Sequence, residues 1–159
     1  MYEKNAAYNL LKNCFPMWHK RYKMSTDETD TLKQRIAIVE DEVSIADMYK
    51  FKLSQSGYDV RCAYDGKAGL ELIESFRPEL ILLDLMMPEM TGQEVLKKVR
   101  ATDWGGAIKV IILTNISKDE APSPLRFLNV DRYIVKAHYT PSQVLKIAVE
   151  VLATGQLEK

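Results

Sequence analysis

The feature that most restricts the fold is an alternation, from residue 35 onward, of short apolar runs with longer segments of helical periodicity. The runs lack polar alternation, which indicates strands buried on both faces of a parallel sheet. Amphipathic helices between them would cover the sheet in a βαβαβαβαβα order, which predicts an α/β fold. The predicted strands are 36–39, 58–63, 80–83, 109–113 and 132–135.

Four of the segments beside the strands carry apolar residues at helical spacing and have recognisable ends. The first includes Val43 on its apolar side and closes at Gly57, and the second stops before Pro78. The last opens with Thr140 as N-cap and Pro141 in its first turn. These predicted helices are 43–57, 68–76, 91–100 and 141–152.

The fourth helix has the weakest pattern, because Pro122 and Pro124 both fall where it should begin. Ser123 as N-cap, with Pro124 at the first helical position, predicts a short helix over 124–128. Asn129 would then adopt the left-handed conformation that ends many helices.

Composition narrows the class of protein. The 159 residues are 47% hydrophobic, and 22 basic residues balance 22 acidic ones, so no charge excess points to nucleic acid. No stretch approaches the roughly 18 apolar residues of a membrane span. Cys14 and Cys62 lack metal-ligand spacing and indicate no disulfide framework, so we expect a cytoplasmic protein.

The ends of the chain differ from the patterned region, and we expect a domain over 35–155 with a tail at 156–159. Residues 1–34 are predicted to be an N-terminal extension, either a disordered tail or sequence upstream of a natural start at Met24. The alternative is a docking element over 8–22, with Phe15, Trp18 and Tyr22 on one helical face. Pro16 counts against that helix.

Polar residues stand where the predicted strands end. Glu40 and Asp41 follow the first strand, Asp84 the third, Thr114 the fourth and Lys136 the fifth. Ligands of open α/β sheets bind at the carboxyl ends of the strands, so these side chains should converge. Any one of them alone could be an ordinary solvated loop residue.

Three carboxylates at one edge repel one another and need a cation. An oxygen-only ligand set suits Mg²⁺, and the pattern has no His or Cys pairs for zinc or copper. A carboxylate beside Mg²⁺ can attack phosphorus to form an acyl phosphate, while a lysine neutralises the phosphoryl oxygens. Thr114 could donate a hydrogen bond to a further oxygen.

Four stretches together resemble the receiver domain of two-component response regulators: 39–42 (VEDE), 84–92 (DLMMPEMTG), 112–114 (ILT) and 133–136 (YIVK). The resemblance covers about 35–155. It implies a flavodoxin-like, doubly wound (βα)5 fold, a five-stranded parallel sheet in the order 2-1-3-4-5, and a stand-alone, chemotaxis-regulator-like switch.

The resemblance also implies roles for individual residues. Asp84 would be the phosphoacceptor, with Mg²⁺ held by Glu40, Asp41, Asp84 and the backbone carbonyl of Met86. Lys136 and Thr114 would be catalytic, and Thr114 and Tyr133 would form the switch. Met86 and Ile116 would flank the approach of the hydrolytic water. Since neither orients water well, slow loss of the phosphoryl group is predicted.

Two positions depart from the family pattern. Ala137 replaces the proline that usually follows the lysine in a cis bond, so we expect a trans bond and an altered loop. Asn115 replaces a smaller residue. Met87 and Pro88 are expected to shape the loop after Asp84, and Gly92 to permit the turn into the third helix. Cys62 is expected in the core, and His138 in a loop with proton transfer as the alternative.

The predicted function is therefore a signalling switch that accepts a phosphoryl group from a sensor histidine kinase or phosphotransfer protein and changes its protein-binding face. It is expected to catalyse only its own phosphorylation and dephosphorylation. The downstream protein is not identified, and a phosphorylation-dependent dimer is allowed, without nucleic acid or membrane partners. Two alternatives are a Mg²⁺-dependent phosphatase or hydrolase, which Met86 at the usual acid position disfavours, and a non-phosphorylated binding module. A flavodoxin-like cofactor binder would need a phosphate loop after the first strand, which the sequence lacks.

Overall fold

A computed structural model describes residues 33–154 of the chain. Its centre is a five-stranded, wholly parallel sheet in the order β2-β1-β3-β4-β5, so the predicted order is confirmed. Hydrophobic burial explains why: β3 is buried along its whole length, and β1 along all but its first residue. The strands are β1 Arg35–Val39, β2 Asp59–Ala63, β3 Leu80–Leu83, β4 Lys109–Thr114 and β5 Arg132–Val135.

Helices cover both faces of the sheet, as doubly wound folds require. They are α1 Val43–Gln55, α2 Gly66–Phe76, α3 Gly92–Arg100 and α4 Pro141–Thr154. Alternate residues of β1 enter different cores: Ile36 and Ile38 pack with α1 and α4, whereas Ala37 and Val39 pack with α2 and α3. No helix in the described range has the length and apolar character that crossing a bilayer needs.

Two helices, α2 and α3, follow residues whose side chains accept hydrogen bonds from free backbone N–H groups. Thr91 caps α3 in a reciprocal capping box with Glu94, so α3 starts one residue later than predicted. Asp65 caps α2, because its side chain accepts a 2.7 Å hydrogen bond from the Ala68 N–H. Val43 was wrongly placed on the inward side of α1, because at the first position of the helix it is 52% exposed.

The prediction of an α-helix over 124–128 is wrong. The chain between β4 and β5 forms two 3₁₀ turns, Lys118–Glu120 and Ser123–Phe127, in place of an α-helix over 124–128. Backbone bonds in the second turn span three residues, as from the Leu128 N–H to the Leu125 carbonyl at 3.1 Å. Five residues form too few bonds to repay the cost of the first turn of an α-helix. Pro122, rather than Ser123, occupies the cap position. Asn129 does adopt the predicted left-handed conformation, with φ of 47°.

Candidate functional site

The carboxyl edge of the sheet brings together side chains that are far apart in sequence. Hydrogen bonding continues beyond the strand ends: the Glu40 N–H donates to the Ala63 carbonyl at 3.0 Å, and the Asp84 N–H donates to the Val39 carbonyl at 2.9 Å. The backbone under these two acids is therefore fixed by the sheet. Thr114 is the last residue of β4, and Lys136 follows β5 directly.

Three carboxylates meet at this edge. Glu40, Asp41 and Asp84 each offer an oxygen within 4.8 Å of the oxygens offered by the other two. Glu40 and Asp84 are buried, at 2% and 5% exposure, whereas Asp41 is exposed. Buried carboxylates this close repel one another, so the cluster needs positive charge to remain ionised.

Lys136 supplies part of that charge. Its ammonium lies 2.5 Å from Glu40 Oε2 and 2.6 Å from Asp84 Oδ2. Burial works to lower the pKa of Lys136, but hydrogen bonds to Asp84 and Glu40 outweigh it, and the pKa is raised. Burial raises the pKa of Glu40, against the opposing bond from Lys136. The site thus has a lysine held charged between two buried acids.

Thr114 carries the buried polar atom that needs explanation. Its side chain is fully buried, and its hydroxyl has no hydrogen-bond partner among the described residues. A buried hydroxyl without a partner costs about 1–3 kcal/mol, which makes such groups uncommon outside functional sites. An acceptor oxygen brought into this edge would satisfy it.

The loop after Asp84 is tightly constrained. The Met86 N–H donates to Asp84 Oδ1 at 3.0 Å, which fixes one carboxylate oxygen. Met87 is buried in the core and Pro88 is exposed. Gly92 is the first residue of α3, where the chain turns into that helix, and its φ is not positive. A Cβ there would lie 1.9 Å from the Asp84 carbonyl oxygen, so the requirement is close backbone contact.

Tyr133 connects β5 to the loop after β4. Its hydroxyl donates to the Ile116 carbonyl at 3.1 Å and lies 3.4 Å from that of Ser117. Burial raises the pKa of Tyr133, and the negative charge of Asp84 adds to the effect. The predicted switch aromatic is therefore half-buried and bonded to the segment that follows Thr114.

The remaining predicted site residues lie in the loops beside the carboxyl edge of the sheet. Met86 is 61% exposed, Ile116 is half-buried, and Asn115 and His138 are exposed. The Lys136–Ala137 bond is trans, as predicted, because residues 33–154 contain no cis peptide. The altered loop is a single 3₁₀ turn, Lys136–His138.

Tyr49 lies in α1 and was not among the predicted site residues. The side chain is buried, and burial raises its pKa, with the charges of Lys136 and Glu40 also acting on the phenol. Tyr49 therefore lies near the charged cluster from the α1 side. Its polar oxygen within an apolar stripe was the available signal.

The residues present fit a hard divalent cation. All three clustered ligands are carboxylates, and oxygen ligands are those that Mg²⁺ prefers. Two of the three are held by backbone hydrogen bonds from the sheet, so they need little rearrangement to bind. Where the sequence predicted a metal site, the described part of the chain thus brings together three carboxylates that could hold such an ion.

Comparison with known proteins gives a consistent result. Residues 36–149 match the family described as the response regulator receiver domain. A CheY-like response regulator receiver domain protein from Methanospirillum hungatei is similar at 32% identity and a TM-score of 0.71, over 80% of this chain and 99% of that one. The chemotaxis protein CheY4 of Vibrio cholerae is similar at 28% identity and a TM-score of 0.69, over 75% of this chain and 98% of that one. The receiver domain of a Francisella response regulator is similar at 28% identity and a TM-score of 0.67, over 78% of this chain and 99% of that one.

Proposed function

Because the chain belongs to the response regulator receiver domain family, we propose that it acts in phosphorylation-dependent signalling by accepting a phosphoryl group on Asp84. One observation carries the assignment. The Lys136 ammonium lies between the buried carboxylates of Glu40 and Asp84, beside a strand end whose buried Thr114 hydroxyl lacks an acceptor within the described chain. Nucleophile, cation and hydroxyl donor therefore share one edge of the sheet.

The chemistry is in-line displacement at phosphorus. An Asp84 carboxylate oxygen forms the new bond to phosphorus, and the bond to the donor nitrogen or oxygen breaks, with the electron pair leaving on the donor. Lys136 stabilises negative charge on a phosphoryl oxygen, and Thr114 donates its hydroxyl hydrogen to another. The Met86 N–H holds the second oxygen of Asp84, which orients the nucleophile.

Mg²⁺ would be held by Glu40, Asp41, Asp84 and the backbone carbonyl of Met86. When bound, it neutralises charge on the phosphoryl oxygens. The donor in this proposal is a sensor histidine kinase or a phosphotransfer protein, and the output is contact with a downstream protein. The chain would catalyse only the gain and loss of its own phosphoryl group.

The test is acyl phosphate formation from acetyl phosphate or phosphoramidate with Mg²⁺, followed by intact mass. We expect one added phosphoryl group, removed by hydroxylamine and absent when the metal is chelated. Asp84→Asn should not be modified, whereas Asp103→Asn, at an exposed acid away from the site, should behave as the parent. Modification of Asp84→Asn to the parental extent, or turnover of a small phosphoester by the parent, would refute the proposal.

A further prediction concerns the lifetime of the phosphoryl group. Met86 and Ile116 offer no side-chain group that hydrogen-bonds an attacking water well, and Met86 is largely exposed at the entrance. Met86→Asn combined with Ile116→Glu should shorten the half-life about tenfold, because both new side chains can orient water. The measurement is loss of phosphate from the purified phosphoprotein.

The matched control is Met86→Leu with Ile116→Val, which keeps both positions apolar and should keep the parental half-life. Loss of phosphate at the parental rate from the polar double variant would show that these side chains do not control hydrolysis here.

A further inference from the structure

A cavity of about 450 Å³ lies at the amino-terminal edge of the sheet, opposite the edge that carries Asp84. Its lining includes Arg35 and Lys109, the first residues of β1 and β4, and Glu79, which directly precedes β3. The four residues of β3, about 13 Å of strand, separate Glu79 from Asp84. The cavity is therefore distinct from the proposed phosphorylation site.

Part of the lining is apolar. Pro78, Ile108 and Leu152 are buried, and Trp104, which also lines the cavity, is half-buried. Ile108 and Trp104 belong to the core beneath α2 and α3, whereas Leu152 belongs to the core beneath α1 and α4. The lining thus joins apolar groups from both faces of the sheet, and such a surface suits a flat apolar ligand.

The charged part of the lining has more positive than negative groups. Its cations are Arg35, Arg77 and Lys109, and Glu79 is the one carboxylate among the described residues that line the cavity. Both Glu79 oxygens already accept from Arg35, Oε2 from its backbone N–H at 2.7 Å and Oε1 from Nη2 at 3.1 Å. Lys109 pairs with Asp131 at 3.3 Å. Arg77 is therefore left as a cation without an acidic partner in the described range.

The Arg77 side chain is oriented before any ligand arrives. Its guanidinium lies over the indole of Trp104, with 3.6 Å between the guanidinium carbon and the ring centre. Its Nε donates to the Glu74 carbonyl at 2.8 Å. Stacking on an aromatic ring uses the flat face of a guanidinium, so the N–H groups on Nη1 and Nη2 stay available to an anion in its plane.

The backbone of Arg77 gives a second, independent observation. Arg77 ends α2 in the left-handed conformation, with φ of 51°. Glycine adopts this conformation without steric cost and is the usual residue at such a helix end, whereas residues with a Cβ are uncommon there. The backbone alone thus favours glycine, and the reason for an arginine lies in what its side chain contacts and binds.

We propose that this cavity, which we call the amino-edge cavity, binds a small organic anion that joins a flat apolar ring to a carboxylate or phosphate group. The ring contacts Pro78 and Ile108, and the anionic group accepts hydrogen bonds from Arg77, which favour an anion over a neutral ligand. The cavity volume falls in the range of small-molecule sites, roughly 300–1,000 Å³. A nucleic-acid backbone would need a longer basic track, and this chain has equal numbers of acidic and basic residues.

The test is an NMR titration of the isotope-labelled full chain, in which the Trp104 indole N–H and the Arg77 amide report binding. The probes are naphthoate and naphthyl phosphate, and naphthamide is the neutral control with the same ring. We expect saturable shifts at both reporters with the two anions, and affinity for naphthamide that is lower by about fivefold or more. The tighter of the two anions identifies the preferred acidic group. Asp84→Asn should bind both like the parent, which separates this test from the phosphorylation test.

Variants at Arg77 decide the location. Arg77→Gly should weaken naphthoate binding about tenfold, because a charge-assisted hydrogen bond is lost. Its midpoint of urea unfolding should stay close to that of the parent, since glycine fits the left-handed conformation. Arg77→Asn also tolerates this conformation and should give the same result. Lys67→Gln removes one positive charge from an exposed position on α2, outside the cavity lining, and should leave affinity unchanged.

The proposal fails if neither reporter shows a saturable shift, or if naphthamide binds as tightly as naphthoate. Parental affinity in both Arg77 variants, or an equal loss of affinity in Lys67→Gln, would also overturn it. A concentration-dependent dimer that Arg77→Glu abolishes would assign the cavity to a second copy of this chain instead. Displacement of naphthoate by an oligoglutamate peptide at lower concentration than by naphthyl phosphate would assign it to an acidic segment of a partner protein.

Discussion

Lys136→Met should lower the free energy of unfolding by about 3 kcal/mol at neutral pH in metal-free buffer. The ammonium now lies 2.5 Å from Glu40 and 2.6 Å from Asp84, and all three side chains are at most 9% exposed. Removing it leaves two adjacent buried carboxylates with no cation from the described chain. The measurement is urea unfolding followed by circular dichroism.

The loss should depend on pH in a defined direction. Burial already raises the pKa of Glu40 above its ordinary value of 4.5, and loss of Lys136 removes the bond that opposes this. The folded variant then binds a proton that the unfolded chain does not, so its stability rises as the pH falls from neutrality towards 4.5. The parent has the opposite feature at high pH: the pKa of Lys136 is raised, so its contribution is lost as the pH rises above 10.5.

Two controls test whether lost charge balance causes the lower stability of Lys136→Met. Lys109→Met breaks an ion pair with Asp131 that is partly solvent-exposed, and should cost at most about 1 kcal/mol. Mg²⁺ should return part of the stability lost by Lys136→Met, since it binds the folded carboxylates in place of the ammonium. Equal losses in the two lysine variants, or no response to Mg²⁺, would show that charge balance at this edge is not what Lys136 provides.

The sheet and the convergence of the site could be predicted because both follow from periodicity. Wholly apolar strands such as 80–83 have only one stable environment, between two helical layers, and parallel strands place Asp84, Thr114 and Lys136 at a common edge. Those arguments need only the sequence of each element and the direction of the strands.

Contacts between particular atoms of different elements could not be predicted in this way. The sequence predicts three acids near Lys136 without distinguishing them. In the structure Lys136 pairs with Glu40 and Asp84, whereas Asp41 is exposed. The α-helix expected over 124–128 does not form, because five residues make too few backbone hydrogen bonds to repay the cost of its first turn.

Gly92→Ala should lower the free energy of unfolding by about 3 kcal/mol, although alanine normally stabilises a helix relative to glycine. The added Cβ would lie 1.9 Å from the Asp84 carbonyl oxygen and 3.0 Å from the Leu85 Cα. Both are backbone atoms at the end of β3, where the Asp84 N–H is bonded to Val39 and the Gly92 N–H to the Leu85 carbonyl. Relief therefore requires α3 or the strand end to move.

Movement at this point reaches the nucleophile directly, because the displaced carbonyl belongs to Asp84. The folded fraction of Gly92→Ala should therefore also form acyl phosphate more slowly than the parent, as a misplaced carboxylate loses its alignment with the phosphoryl donor.

Gly106→Ala is the matched control: no described neighbour lies within 4 Å of its added Cβ and its φ is not positive, so its stability should change by less than about 0.5 kcal/mol. Urea midpoints and phosphorylation rates are compared for both variants. Indistinguishable midpoints would mean that the contact between Gly92 and Asp84 relaxes without cost, and a normal phosphorylation rate in a destabilised Gly92→Ala would mean that the strain stays in α3.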